Sequence, residues 1–258
     1  MELSLRKKMH KIAIAGLGNI GGAIYEILSS DGSFNVSGFG RTEDPNAYLH
    51  DVDALIIAVK PQSFEKFAKT VTIDLSNVIV ISTMAGKSIE NIQRTLKCKK
   101  VVRVMPNLPL QVGHNFCAWI VSNKVSNIEK GVVRKILNRL GKEMEVKKEE
   151  KIDRITALSG SGPAYYCRMA EAVERSAKKM GFGEKESKII ARETLIGTAK
   201  LMDEKNFEAT ELKAIVTSKG GTTAAALSSF NKQGFDKVVY QSILAAYKRA
   251  KELNDDNE

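Results

Sequence analysis

Cysteine and histidine are scarce in this chain, with three of each among 258 residues. Cys98, Cys117 and Cys167 form no CxxC pair, and His10, His50 and His114 stand far apart with no HxxxH spacing. Neither a disulfide framework nor a metal-ligand set is expected from that pattern, and all six read as plain core or surface positions. Aromatic residues make up only 6% of the chain, so the basic excess of 40 Lys and Arg over 30 Asp and Glu, a net charge of +10, has no stacking platform interleaved with it. The basic residues are dispersed, with short clusters at Arg6–Lys8, Lys97–Lys100 and Lys147–Lys148. The excess therefore reads as solubility plus attraction of small anions, with no nucleic acid as partner. No unbroken apolar run exceeds the six residues Ala54–Val59, far short of the ~20 that cross a bilayer as a helix, so no membrane partner is expected. The opening MELSLRKKMHK carries charge but leads into a strand-like segment and not into an apolar signal core, which makes the cytoplasm the expected location.

What is present is ordinary globular usage, 43% hydrophobic and 27% charged, in a length that suits one large domain or two modest ones. From Lys11 to about Val146, short β-branched runs alternate with helix-compatible stretches: Ile12–Ala15, Asn35–Phe39, Ala54–Val59, Val78–Ser82, Val101–Val104 and Phe116–Val121. Several runs are continuously apolar, as strands covered on both faces must be, and the alternation predicts a doubly wound, mostly parallel sheet. The charged stretch Lys142–Lys151 marks a change of character. Beyond Asp153 the sequence predicts only helices, chiefly Pro163–Met180, Glu184–Met202 and Gly234–Leu253, with a frayed tail from Asn254. The expected division is residues 1–152 and 153–258. In the first long helix Tyr166, Met169, Ala170, Val173 and Ala177 recur at spacings of three and four, forming a face that must be buried somewhere, and self-association is one way to bury it.

The strongest local motif is Gly16-Leu17-Gly18-Asn19-Ile20-Gly21, placed directly between a strand and a helix. In that position Gly16 permits the tight turn, Gly18 lets a pyrophosphate approach the backbone, and Gly21 lets the helix pack against the strand. NAD-preferring sites place an acid at the end of the second strand, whereas this chain has Arg41 there, a planar fork suited to a 2′-phosphate, followed by Glu43 and Asp44. NADPH is the expected cofactor, with NADH possible. The third strand ends in Ala58, Val59, Lys60 and Pro61, where Lys60 could meet cofactor phosphate or ribose, and the fourth ends near Ala85 and Gly86, small enough to leave room for a nicotinamide ring.

Together with Val102–Pro109 (VRVMPNLP), Thr156–Tyr166 (TALSGSGPAYY) and Val216–Thr223 (VTSKGGTT), the chain resembles the pyrroline-5-carboxylate reductase family over nearly its whole length. The resemblance implies reduction of the cyclic imine 1-pyrroline-5-carboxylate to L-proline by NAD(P)H. It also implies an α/β N-terminal Rossmann-like domain, an all-α C-terminal dimerisation domain, and homodimers that in some members gather into decamers. By similarity to the family, Ser218, Gly221, Thr222 and Thr223 are the expected substrate contacts, with Gly220 in the same loop; Ser218 and Thr223 are the catalytic candidates, Thr223 being the best candidate to hydrogen-bond the ring nitrogen. The residues support this independently, because Ser218–Thr223 stands just before a helical stretch and presents hydroxyls, backbone N–H groups and a positive dipole end to a carboxylate. Asn107 is a candidate polar group in the same cleft, or a structural support, and Pro163 suits the first turn of the interdomain helix. Lys219 stands where many relatives have Pro, and Leu108 where many have Thr. A protonated imine is already electrophilic, so no metal is expected and the main duty is to position hydride donor and imine carbon. A β-hydroxyacid dehydrogenase is disfavoured because those enzymes place a catalytic Lys on the interdomain helix, which here has none before Lys178. Another imine reductase and a non-catalytic NADP-binding sensor are the remaining rivals.

Overall fold

The computed structural model describes residues 9–255; the cluster Arg6–Lys8 and residues 256–258 lie outside the described residues. Seven strands form one sheet: β1 (His10–Ala15), β2 (Phe34–Phe39), β3 (Ala54–Ile57), β4 (Ile79–Ser82), β5 (Lys100–Met105), β6 (Asn115–Val121) and β7 (Gly141–Glu145), in the order β2-β1-β3-β4-β5-β6-β7. All pairings are parallel except β5 with β6. The expected mostly parallel, doubly wound sheet is therefore present.

Alternation along each strand explains the continuous apolar runs. Ile12, Ile14, Ile56, Ile81, Val102 and Val104 face α1 (Asn19–Ser29) and α5 (Asn127–Leu140), packing on Ile24, Leu28, Val133 and Leu137. Their neighbours Ala13, Ala15, Leu55, Ile57 and Val80 face the other way. These meet Leu49 of α2 (Asn46–Leu49), Phe64 and Ala68 of α3 (Phe64–Thr70), and Ile92 and Leu96 of α4 (Ile89–Leu96). Each strand residue is thus removed from water on one side or the other, at roughly 1.5–3 kcal/mol for a large aliphatic side chain. Cys98 and Cys117 belong to these two cores, and burial pushes their thiols up to about 11 and about 12.

The charged stretch Lys142–Lys151 is more than a boundary, since it supplies most of β7 and the start of α6 (Glu150–Ile155). α6 packs Ile152 with Met105, Ala118 and Val146 of the sheet unit. Arg103, 1% exposed on β5, donates to Glu149 at 3.0 Å and to Asp153 at 2.6 Å, while Glu149 also accepts from the Ile89 amide. A five-residue π-helical turn, Thr156–Gly160, follows, closed by the Ser161 amide donating to the Thr156 carbonyl.

Contacts divide the chain into two compact units. One runs to Pro163 and takes back the chain from Ala245; the other is Ala164–Leu244. The contact division falls later than the change of composition because α6 and the π-turn pack on the sheet. The second unit is helical as expected: most of α7 (Gly162–Lys179), then α8 (Glu184–Lys205), α9 (Ala209–Ile215), α10 (Thr222–Lys232) and the first part of α11 (Phe235–Asp255). Pro163 sits in the first turn of α7. The backbone of Asn254 and Asp255 is still helical, so fraying does not begin at Asn254. On α7 only Ala177 of the apolar face is buried; Tyr166, Met169 and Val173 remain exposed. Among the described residues no helix is long and apolar enough to cross a membrane, and no group of three or more His, Cys, Asp or Glu side chains could hold a metal ion.

Candidate functional site

β2 and β3 flank β1, so the chain reverses direction across the sheet at β1, and ligands of such sheets lie beyond the strand C-termini at that reversal. There the glycine loop leaves β1. Gly16 has φ +92 and its amide donates to the Phe39 carbonyl at 2.9 Å, while a side chain on it would meet the Ala58 carbonyl oxygen at 2.9 Å. Gly21 is tighter still, since a Cβ would lie 1.8 Å from the Gly16 oxygen. Gly18 differs: a Cβ there would meet nothing within 4 Å. The first two glycines are demanded by packing, whereas the third faces an open cradle, as a phosphate-binding loop requires.

Gly18 also caps α1 with no side-chain hydrogen bond and no acid in the first turn. The first intrahelical bond runs from the Gly22 amide to the Gly18 carbonyl, so the amides of Asn19, Ile20 and Gly21 have no acceptor within the helix. A cavity of about 400 Å³ opens beside them, lined by Gly16, Leu17, Gly18, Arg41, Ala58, Val59 and Lys60 of the expected set. Its dimensions and its basic rim fit the adenosine and phosphate part of a dinucleotide. Pro61 begins the short 3-10 turn Pro61–Ser63 that follows Lys60.

Sequence reasoning missed the far wall, formed by Ser63, Lys66, Phe67 and Thr70 of α3 and its entry. Those four recur at i, i+3, i+4 and i+7, the spacing of one helix face, so the signal was present once Pro61 was taken to start a helix. Glu43 and Asp44 turn out to be committed within the loop. Glu43 accepts from the Gly40 amide at 2.7 Å and from the Tyr48 hydroxyl, and these two bonds hold its carboxyl below the usual carboxylate range. Asp44 accepts from the Asn46 amide at 3.0 Å and from its side chain. Arg41 is exposed on the cavity wall.

Two expected positions have different surroundings. Gly86, with φ +66, is required by packing: it is pressed against the end of α11, where a Cβ would meet Leu253 Cβ at 2.7 Å and its carbonyl oxygen at 2.9 Å. Ala85 packs against the Met105–Ile152 cluster. Asn107 is a strut. Its side-chain nitrogen donates to Ser159 Oγ at 3.0 Å, its side-chain oxygen accepts from the Phe116 amide at 3.3 Å, and its own amide donates to Asn115. Asn107 thereby joins the end of β5 to the π-turn, and the supporting role weighed for it is the one its bonds serve.

In the helical unit, Ser218–Thr223 forms the turn into α10. Gly220 has φ +72, Gly221 is the cap, and the Gly221 amide donates to the Ser218 carbonyl at 3.1 Å. A side chain at 221 would lie 2.3 Å from Ser218 Oγ, so the serine hydroxyl takes the place a Cβ would fill. α10 starts at Thr222, which puts Thr222 and Thr223 in its first turn, with no acid there and no side-chain cap. The first intrahelical donor is Ala225, leaving the amides of Thr222, Thr223 and Ala224 without an acceptor in the helix. Amides without an acceptor in the helix, the positive dipole end and hydroxyl side chains at 222 and 223 in the first turn are the elements an anion-binding turn uses. Lys219 and Leu108, the two departures, are both exposed. On α7 the first lysine, Lys178, lies in the last turn and pairs with Glu174 at 3.0 Å.

Comparison with known proteins converges on one family. Residues 149–253 match the family model described as pyrroline-5-carboxylate reductase dimerisation. The chain is 33% identical over 204 residues to a pyrroline-5-carboxylate reductase of Haemophilus influenzae, covering 78% of this chain and 75% of that one. To the enzyme of that name from Vibrio alginolyticus it is 30% identical over 264 residues, with 94% and 97% covered. Among solved structures, the pyrroline-5-carboxylate reductase of Coxiella burnetii superposes with a TM-score of 0.82 at 25% identity, covering 95% and 99%. The Plasmodium falciparum pyrroline carboxylate reductase, solved with NADP bound, gives 0.79 at 25%, covering 95% and 98%.

Proposed function

The chain belongs to the pyrroline-5-carboxylate reductase family, and from that premise we propose that it reduces 1-pyrroline-5-carboxylate to L-proline with NAD(P)H, the closing step of proline synthesis, in the cytoplasm. The observation that carries the reading is the pairing of a phosphate-binding glycine loop with a carboxylate-receiving turn in the same chain. Residues 1–152 act as the cofactor domain and 153–258 as the helical dimerisation and substrate domain. The nicotinamide supplies the hydride when bound. Gly16, Leu17, Gly18, Asn19, Ile20 and Gly21 orient the pyrophosphate through backbone amides and a close approach. Ala58, Val59, Lys60 and Pro61 follow the adenosine side of the cofactor, and Arg41 favours the 2′-phosphate and hence NADPH.

Ser218, Gly220, Gly221, Thr222 and Thr223 fix the imine's carboxylate, and Thr223 hydrogen-bonds the ring nitrogen as iminium becomes amine. Oriented this way, the substrate needs no acid or base stronger than a hydroxyl, because the protonated imine already accepts hydride. The apolar residues left exposed on α7, Tyr166, Met169 and Val173, support a homodimer as the working assembly. Whether dimers gather into decamers is read from the mass in solution by light scattering.

The test is the loss of NADPH absorbance on adding pyrroline-5-carboxylate, with NADH and a six-membered cyclic imine in parallel. Proline as product, formed fastest from the five-membered ring, is the expected outcome. Turnover of only the larger ring moves the assignment to another imine reductase, and cofactor binding without any turnover leaves the sensor. Thr223→Ala is expected to lower kcat/KM by about 1–3 kcal/mol of transition-state stabilisation, the scale of a hydrogen bond to a charged group. An unchanged kcat/KM removes Thr223 from the reaction.

A further inference from the structure

The cavity beside the glycine loop carries Arg41, Lys60 and Lys66 on its wall, together with one acid, Glu43. In a dinucleotide site an acid near the end of β2 selects for the free ribose hydroxyls of NADH and repels the 2′-phosphate of NADPH. Glu43 lines this cavity, yet each of its oxygens already accepts a bond. One accepts from the Gly40 amide at 2.7 Å, and the other from the Tyr48 hydroxyl. Tyr48 is itself fixed, its ring stacked on Phe39 with centroids 5.0 Å apart, and Phe39 is buried at the end of β2.

We infer that Tyr48 is a positioning residue for cofactor choice: its hydroxyl holds the Glu43 carboxylate against the β2 turn, withholding it from the ribose and leaving Arg41 to meet the 2′-phosphate. The inference rests on the proposed NADPH preference and explains how a loop reading Arg-Thr-Glu-Asp discriminates in that direction although two of its residues are acids. Each Glu43 oxygen already accepts one bond, which lowers its capacity to take two ribose hydroxyls in the paired geometry an NADH site uses. Lys60 and Lys66 add positive potential to the same cavity.

The experiment measures equilibrium binding of NADP⁺ and NAD⁺ by titration calorimetry for wild type, Tyr48→Phe, Glu43→Gln and the double variant, with thermal melts as a folding control. Tyr48→Phe keeps the ring and its stacking while freeing one oxygen of the carboxylate, the other still accepting from the Gly40 amide. The NADP⁺ over NAD⁺ affinity ratio is expected to fall about tenfold, the worth of one charge-assisted hydrogen bond gained by the ribose and lost to repulsion of the phosphate. With Glu43→Gln in place, Tyr48→Phe is expected to leave the ratio unmoved, a dependence that general loosening of the loop would not produce. A wild type selective for NADP⁺ whose ratio survives Tyr48→Phe overturns the role of Tyr48 alone. A wild type that binds NAD⁺ as tightly as NADP⁺ overturns the NADPH reading, and the role of Tyr48 with it. Should Tyr48→Phe fail to fold, Glu43→Gln decides: with the acid already withheld, its removal should leave the ratio within about twofold of wild type, and a ratio that rises about tenfold, as loss of a ribose-binding acid would give, overturns the inference.

Discussion

The two units handle charge and apolar surface in opposite ways. In the sheet unit Arg103 is 1% exposed and answered by Glu149 and Asp153, and the aliphatic side chains of the central strands are covered on both faces. In the helical unit Tyr166 is 68% exposed and Val173 40%, and ion pairs such as Arg168–Glu171 lie at the surface. The sheet unit completes its own core; the helical unit leaves an apolar face of α7 exposed. The match of residues 149–253 to a family model of dimerisation agrees with a partner covering the apolar face that α7 leaves exposed.

The contrast in charge is the easiest to break. Asp153→Ala removes one of the two carboxylates that answer the buried Arg103 guanidinium and leaves Glu149 as the other, and loss of one partner of a buried pair costs up to about 3–5 kcal/mol. The urea midpoint should fall accordingly. Glu171→Ala in the helical unit removes an exposed partner, and its cost should stay within about 1 kcal/mol. Equal losses from the two variants would mean that burial is not what separates the units.

The contrast in apolar surface predicts the next largest effect. Burying a side chain the size of Val173 against a second chain contributes about 1.5–3 kcal/mol, and replacing it by a carboxylate adds a desolvation cost. Val173→Asp should weaken the dimer at least a hundredfold, about 2.8 kcal/mol, and sedimentation should show monomer at micromolar concentration with the sheet unit still binding NADPH. A dimer of undiminished strength would place the interface elsewhere on the helical unit.

Much of this was legible in the sequence, and what was not has a common cause. Ala54–Ile57 announced a strand because residues hidden on both faces must all be apolar. β7 did not, because GKEME is an edge strand formed by pairing with β6, and its acids are spent on neighbours: Glu143 accepts from Trp119 and Arg134, and Glu145 from Lys130 and Arg134. The glycine loop and the turn into α10 were readable since their geometry is local, fixed by which residue can take a positive φ or tolerate a close approach. That Gly86 is required by packing was not readable, because its neighbour, Leu253, is more than 160 residues away. Asn107 could be given only an undecided role for the same reason, its partner Ser159 lying on a π-turn that the sequence did not signal.

The glycines allow a sharper cut within the sheet unit, between residues required by packing and one required by a ligand. Gly18→Ala adds a methyl into open space at a backbone conformation any residue adopts, so the melting temperature should not move. NADPH affinity should fall at least tenfold, about 1.4 kcal/mol, because the methyl stands where the pyrophosphate must approach. Gly21→Ala, with its Cβ 1.8 Å from a backbone oxygen, should lose stability and binding together. If Gly18→Ala binds NADPH normally, the cradle is not the phosphate site.

The smallest expected effect tests whether surface charge matters in the sheet unit at all. Glu150 accepts from the Tyr247 hydroxyl at 2.6 Å and from Arg154 at 2.8 Å, fastening the last part of α11 to α6. The Tyr247 bond, followed by the Arg154 bond and charge, lowers its pKa from 4.5 to about 2. A carboxyl depressed on folding contributes stability that is full above the unfolded value and disappears as the pH falls through the folded one. The melting-temperature gap between wild type and Glu150→Gln should therefore be constant at neutral pH, begin to close near pH 4.5 and vanish near pH 2. The gap itself should be small, because the carboxylate is exposed to solvent that screens it. A gap as large as that of Asp153→Ala would show that attachment of the terminal helix, and not burial of charge, is what makes the sheet unit self-sufficient.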